Sequence, residues 1–204
     1  RKYNGEPLSA AKVEASVTEG TTISYSTDDG STWTAEAPSI TKAGTLNVKV
    51  KAENPNYETV EEAYKLKVTK RKVTLTSETA SKAYDGTALT KPEVTVGGDG
   101  FVDGEVEGIK AIGTITNVGG PVANPIEYTG VEGKFNAGNY KIQKQEGTLT
   151  ITKAGSLGLT VEGAERKYNG EPLSAAKVEA SETEGTTISY SIDDGSTWTA
   201  EAPS

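Results

Sequence analysis

Two groupings of residues in this chain have the types and spacing to do chemistry. Ser26-Thr27-Asp28-Asp29-Gly30-Ser31-Thr32-Trp33 gathers a carboxylate, hydroxyls and an indole, and the pattern returns at Ser191 to Trp198. Such a set can stack a sugar ring on Trp33, Tyr25 or Trp198. It can equally spend its side chains on its own turn, with Asp28 and Asp193 accepting backbone N–H bonds and Gly30 and Gly195 supplying a positive φ. The second grouping is acidic: Asp99, Asp103, Glu105 and Glu107 offer hard oxygen ligands of the kind Ca²⁺ takes. It lacks the D-x-[DN]-x-[DN]-G order of a calcium loop, so a solvated acidic loop is the simpler reading and Asp99, Asp103 and Glu105 are weak metal candidates. The chain has no His and no Cys. That removes the commonest general base, the thiol nucleophile, thioester adhesion, disulfides and the usual zinc ligands. The expectation is no catalytic residue, no cofactor and no enzyme.

The order S-x-D-x-G-x-T-W resembles the Asp-box hairpin of sialidase propellers. A propeller needs at least four blades, and a sialidase site would want clustered arginines, whereas this chain has three Arg, Arg1, Arg71 and Arg166. Asp28, Gly30, Trp33, Asp193, Gly195 and Trp198 are therefore read as structural hairpin residues, with aromatic packing ahead of sugar stacking.

Something must position these turns. Of 204 residues, 34% are hydrophobic and 6% aromatic, with 23 Gly and 8 Pro. This suits several small cores under short strands rather than one large interior. The net charge of −8 would repel phosphate backbones and anionic lipid, so nucleic acid is not an expected partner. No apolar run approaches the roughly 18 residues of a membrane helix, and no membrane insertion is expected.

Repetition is the strongest signal. Arg1 to Ser39 recurs as Arg166 to Ser204, differing only where Val17 becomes Glu182 and Thr27 becomes Ile192. A Val/Glu exchange fits a wet position, and a Thr/Ile exchange keeps strand preference. A fainter repeat lies inside this period. Leu75 stands nine residues before Tyr84-Asp85-Gly86, and Leu159 stands nine before Tyr168-Asn169-Gly170. Tyr3-Asn4-Gly5 opens the chain in the same way. Asn56-Tyr57 and Asn139-Tyr140 each stand thirteen residues before a Lys, Lys70 and Lys153. Two diverged modules of about 82 residues then alternate. The expected organisation is a type 1 module over 1–71 lacking its first strand, a complete type 2 module over 72–153, and the first part of a second type 1 module over 154–204. This register, with no Met and Arg1 first, predicts an internal piece of a longer polypeptide. Edge strands recruit strands, so head-to-tail self-association by strand donation is a possible partnership beside that of neighbouring repeats.

Alternation marks half-buried strands at Leu46/Val48/Val50, Tyr64/Leu66/Val68, Val73/Leu75, Val94/Val96, Leu149/Ile151 and Leu159/Val161. No stretch holds a helical period over three turns. The spacing predicts an all-β chain of tandem immunoglobulin-like β-sandwich modules. Linkers as short as Val68 to Val73 restrict bending, which predicts an elongated, semi-rigid rod. Tyr3, Tyr84, Tyr57 and Tyr140 read as packing and corner residues.

Taken as an ordered set, Tyr84-Asp85-Gly86, Gly100-Phe101-Val102-Asp103-Gly104-Glu105, Thr116-Asn117-Val118-Gly119 and Asn136-Ala137-Gly138-Asn139-Tyr140 resemble the YDG-type repeat of the MBG/YDG group of bacterial surface adhesins. The resemblance covers most of 72–153, and type 1 looks like a sister repeat. It implies an extracellular location at the cell surface or cell wall and a role as a structural spacer in an adhesin or surface fibre. A carbohydrate- or mucin-binding module is the main alternative, with a host or cell-surface glycan or protein as partner. A non-catalytic stalk of a secreted hydrolase is another. The resemblance carries no ligand residues across.

Overall fold

The computed structural model describes residues 1–10, 12–175 and 177–203. Among the described residues the chain is all-β apart from one 3₁₀ turn, Ala137–Asn139, and its strands form several small sheets. It divides into two compact units, Arg1–Thr152 and Lys153–Ser204.

The first part of unit 1 contains β1 (Leu8–Ser9), β2 (Thr22–Ser26), β3 (Ser39–Ile40), β4 (Gly44–Asn54) and β5 (Tyr57–Val68). The long β4/β5 hairpin follows from the alternation in both arms, with Val48, Leu66 and Val68 buried. Its turn is set by Asn54, whose side chain accepts the Asn56 N–H at 3.0 Å. The sheet order is β2-β4-β5, all antiparallel, and β1 pairs with β3.

The remainder of unit 1 holds β6 (Arg71–Ser77), β7 (Ala80–Ala83), β8 (Leu89–Thr90), β9 (Val94–Gly98), β10 (Val106–Ala111), β11 (Thr114–Ile115), β12 (Gly119–Asn124), β13 (Ile126–Gly130), β14 (Tyr140–Gln145) and β15 (Gly147–Thr152). Its two three-stranded sheets have the orders β14-β6-β9 and β12-β15-β7. The opening strand runs parallel to the closing one across both sheets, β6 beside β14 and then β7 beside β15. Both strands change sheet at the same level, at Glu78-Thr79 and at Glu146-Gly147.

That shared crossing needs Gly147. A Cβ there would overlap the Glu78 carbonyl and the Thr79 nitrogen, which are backbone atoms that cannot swing aside. The Gly147 N–H donates to Ser77 Oγ at 3.0 Å. Gly147→Ala should destabilise unit 1 by about 1–3 kcal/mol through forced backbone displacement. Chemical denaturation of the two proteins side by side checks this.

The buried apolar residues form two clusters. The largest buried cluster joins Tyr3 and Val68 to Val73, Leu75, Ile126 and Tyr140, with Leu8, Ile40, Phe101, Val102 and Phe135 against it. It therefore straddles the 71/72 boundary. Residues 1–71 contribute Tyr3 to its rings, and Phe101, Tyr128, Phe135 and Tyr140 come from the segment that follows. A second cluster, Leu89, Leu149 and Ile151, lies within 72–152.

Unit 2 contains β16 (Leu159–Glu162) paired antiparallel with β17 (Lys177–Ala180). Leu159 and Val161, although on a strand as their alternation predicts, are exposed.

Candidate functional site: the 71/72 joint and the Asp hairpins

The joint is built first by the Tyr-Asx-Gly turn. In all three copies the Gly takes a positive φ: 86° at Gly5, 78° at Gly86 and 80° at Gly170. In each, the residue after Tyr closes an Asx turn, with Asn4, Asp85 and Asn169 accepting the N–H two residues on at 3.1, 2.9 and 3.1 Å. In unit 1 this turn lays the Tyr backbone against the closing strand. The Tyr3 N–H donates to the Thr69 carbonyl and the Tyr84 N–H to the Thr152 carbonyl, both at 2.9 Å. The repeated hexad is thus a device for putting a tyrosine at the end of a closing strand.

At the first of these places the tyrosine meets the following segment. Tyr3 is buried, and its hydroxyl donates to Glu105 Oε1 at 2.6 Å. The Tyr140 hydroxyl donates to Glu105 Oε2 at 2.6 Å and accepts the Val102 N–H at 3.1 Å. The two rings meet edge-on at 5.7 Å, and Phe135 stacks on Tyr140. Burial, reinforced by the Glu105 carboxylate, pushes both phenols above their ordinary range. Around this centre, Arg71 donates to the Tyr3 carbonyl on one side and to the Asp99 and Gly100 carbonyls on the other. Lys2 pairs with Asp99, which also accepts the Lys72 N–H at 2.8 Å. The Ala43 N–H donates to Asn139 Oδ1 at 2.9 Å. Four sets of polar bonds and a shared core cross one short linker.

The weak calcium candidates Asp99 and Glu105 are engaged here by other partners. Glu105 is inside the core on two phenols, and Asp99 is bonded to Lys2 and to the Lys72 backbone. Among the described residues no group of three or more acidic side chains converges on a possible ion position. Sequence reasoning missed Glu105, Arg71 and Asn139 as joint residues. For Glu105 the usable signal was its place in an ordered motif that also contains Phe101 and Val102. Tyr57, expected as a packing residue, is 61% exposed, on the half of β5 whose residues 57–63 all face solvent.

The first aspartate of each hairpin is bonded within its own turn. Asp28 Oδ1 accepts the Thr32 N–H at 2.9 Å and the Ser26 hydroxyl at 2.7 Å, and Oδ2 accepts the Thr32 hydroxyl at 2.7 Å. Asp29 and Gly30 hold φ of 61° and 95°, and Tyr25 and Thr34 exchange backbone bonds. Unit 2 repeats this around Asp193 with near-identical distances, and Gly195 at φ 83°. Trp33 is half-buried, lies against Gly30, and carries Lys51 Nζ 4.7 Å from its ring centroid. Its counterpart Trp198 is 65% exposed and donates to the Gly195 carbonyl. Tyr25 is half-buried on β2.

The Thr32 hydroxyl, then Ser26 and the Thr32 amide, hold the Asp28 carboxyl down to about 2 from its ordinary 3.8. A depressed carboxyl contributes stability present above about pH 4 and lost as pH falls toward 2. The protection of the Thr32 and Gly30 amides, measured against their intrinsic exchange rates at each pH, should therefore fall over that window. Asp28→Asn should abolish the pH dependence, as read by hydrogen exchange.

Compared with known proteins, the chain matches no family model, no curated protein and no solved structure.

Proposed function

We propose that this chain is a non-catalytic structural spacer of a bacterial cell-surface adhesin or surface fibre, extracellular, made of tandem immunoglobulin-like modules of the YDG type. The observation that supports this most is the joint. A linker of a few residues is crossed by a shared apolar cluster, a buried carboxylate on two tyrosines and an arginine bonded to both sides. Such a connection resists bending, whereas a flexible tether would spend Gly and Ser there and leave both ends hydrated. The Asp hairpins fit the same reading, since their carboxylates are taken up by their own turns. Its partners are the neighbouring repeats of the same polypeptide, and its task is reach.

Small-angle scattering on concatenated copies of the 165-residue period tests this. A spacer gives a maximum dimension that grows in proportion to copy number; growth with its square root would be the behaviour of a flexible chain and would refute the reading. A glycan array returning saturable binding that Trp33→Ala abolishes would replace it with a carbohydrate-binding module.

A further inference from the structure

The segment 71–152 begins and ends on strands that lie side by side and run in the same direction. β6 pairs parallel with β14, from Arg71 beside Tyr140 to Thr76 beside Gln145. β7 pairs parallel with β15, from Ala80 beside Leu149 to Ala83 beside Thr152. Both ladders keep one offset of 69 residues, so they are two lengths of a single parallel pairing. The Tyr84 N–H adds a last bond, to the Thr152 carbonyl at 2.9 Å. The chain therefore enters the paired strands at one end, at Arg71, and leaves them at the other, at Thr152.

Between the two lengths, where both strands change sheet, the backbone ladder is interrupted and side chains span the gap. Ser77 Oγ accepts the Gly147 N–H and Thr79 Oγ1 accepts the Thr148 N–H, both at 3.0 Å. Just before them the Thr76 hydroxyl donates to Gln145 Oε1 at 3.2 Å. On the core side the pairing is sealed by Val73, Leu75, Leu149 and Ile151, none more than 1% exposed. Water cannot reach the ladder bonds from that face.

From this we infer a load-bearing function: the opening and closing strands of 71–152 form a shear clamp, carried across the sheet change by Ser77 and Thr79. Tension along the chain draws β6 back from Arg71 and β15 forward from Thr152, along the strand axis. Every rung of the pairing is then strained at once, and none can fail ahead of its neighbours. Strands pulled apart from adjacent ends behave differently. Their rungs part singly, each freeing roughly 7 Å of chain from two extended residues, so little force is needed for each. Resistance to pulling is set by the barrier to unfolding along the pulled direction and not by equilibrium stability. That tension is applied at all rests on the spacer reading; the clamp itself does not.

The test uses the full chain, whose lack of Cys lets attachment points be placed at will. Lys70→Cys with Lys153→Cys, both at exposed positions, loads the strands in shear. Tyr84→Cys with Lys153→Cys, also exposed, separates the adjacent ends of β7 and β15 and opens the pairing rung by rung. In single-molecule force spectroscopy at one pulling speed, the first pair should need a several-fold higher unfolding force. Its event should release roughly 240 Å, the extended length of 70–153 less the folded separation. Thr79→Val should lower the force in the first geometry and leave the second unchanged. Equal forces in the two geometries overturn the proposal. So does a Thr79→Val loss of the same size in both, which marks only a less stable fold. Either result leaves the spacer reading standing, because scattering reads stiffness and not strength.

Discussion

Glu105→Ala should lower the stability of unit 1 by about 2–4 kcal/mol, a fall of roughly 5–15 °C in unfolding midpoint for a unit of this size. The carboxylate accepts from Tyr3 and Tyr140 inside the core, and its removal leaves two buried hydroxyl donors without a partner. Deleting a buried charge returns part of that cost, which is why the estimate stays below the sum of two orphaned groups. Glu105→Gln, which keeps the volume and one acceptor, should lose less than half as much. The same centre predicts an alkaline limit. Both phenols have folded pKa values raised above the ordinary 10.0, so the unfolded chain releases these protons first. Their contribution is fully present below about pH 10 and is lost as pH rises beyond it. Phenolate absorbance should show these tyrosines ionising together with unfolding, and Tyr3→Phe should shift that transition.

Asn124→Leu should cost more, about 3–5 kcal/mol, although the residues are close in volume. Asn124 is fully buried. Its Oδ1 accepts the Gly113 N–H at 3.0 Å, and its Nδ2 donates to the Glu78 and Lys91 carbonyls at 3.2 and 2.9 Å. Three backbone groups from separate loops would be left unpaired at once, at the level where β6/β7 and β14/β15 change sheets. Ser77, which donates to the Asn124 carbonyl at 2.6 Å and accepts from Gly147, sits in the same network. Asn124→Leu and Gly147→Ala should therefore be non-additive in a double-mutant cycle. Equilibrium denaturation measures the loss, and faster exchange at the Gly113 amide locates it.

What the residues announced in advance was local. Alternation at Leu46/Val48/Val50 and at Leu149/Ile151 gives strands because period-two patterning needs only neighbours in sequence. The Ser-x-Asp-x-Gly turn was likewise visible, since the Asp acceptor and the positive-φ glycine lie within a few residues of each other, whereas Tyr-Asx-Gly was legible as a repeat marker and not as a turn. Glu105 was not visible in this way. An acid between two glycine-rich turns reads as solvated, and its burial depends on Tyr3, 102 residues away, and Tyr140, 35 residues away. Asn124 escaped notice for the same reason, because the three backbone groups it serves come together only when two sheets are stacked. The pooling of aromatics at the 71/72 boundary was hidden too: composition shows that rings are scarce but not where they gather.

The account rests on residues 1–71 and 72–152 moving together. Residual dipolar couplings of backbone amides, fitted separately for the two stretches in one weakly aligned sample, measure this directly. One alignment tensor should describe both, and Glu105→Ala should make the two tensors diverge. Two tensors of different magnitude in the unmodified chain would mean that the joint bends freely, contradicting the stiff spacer.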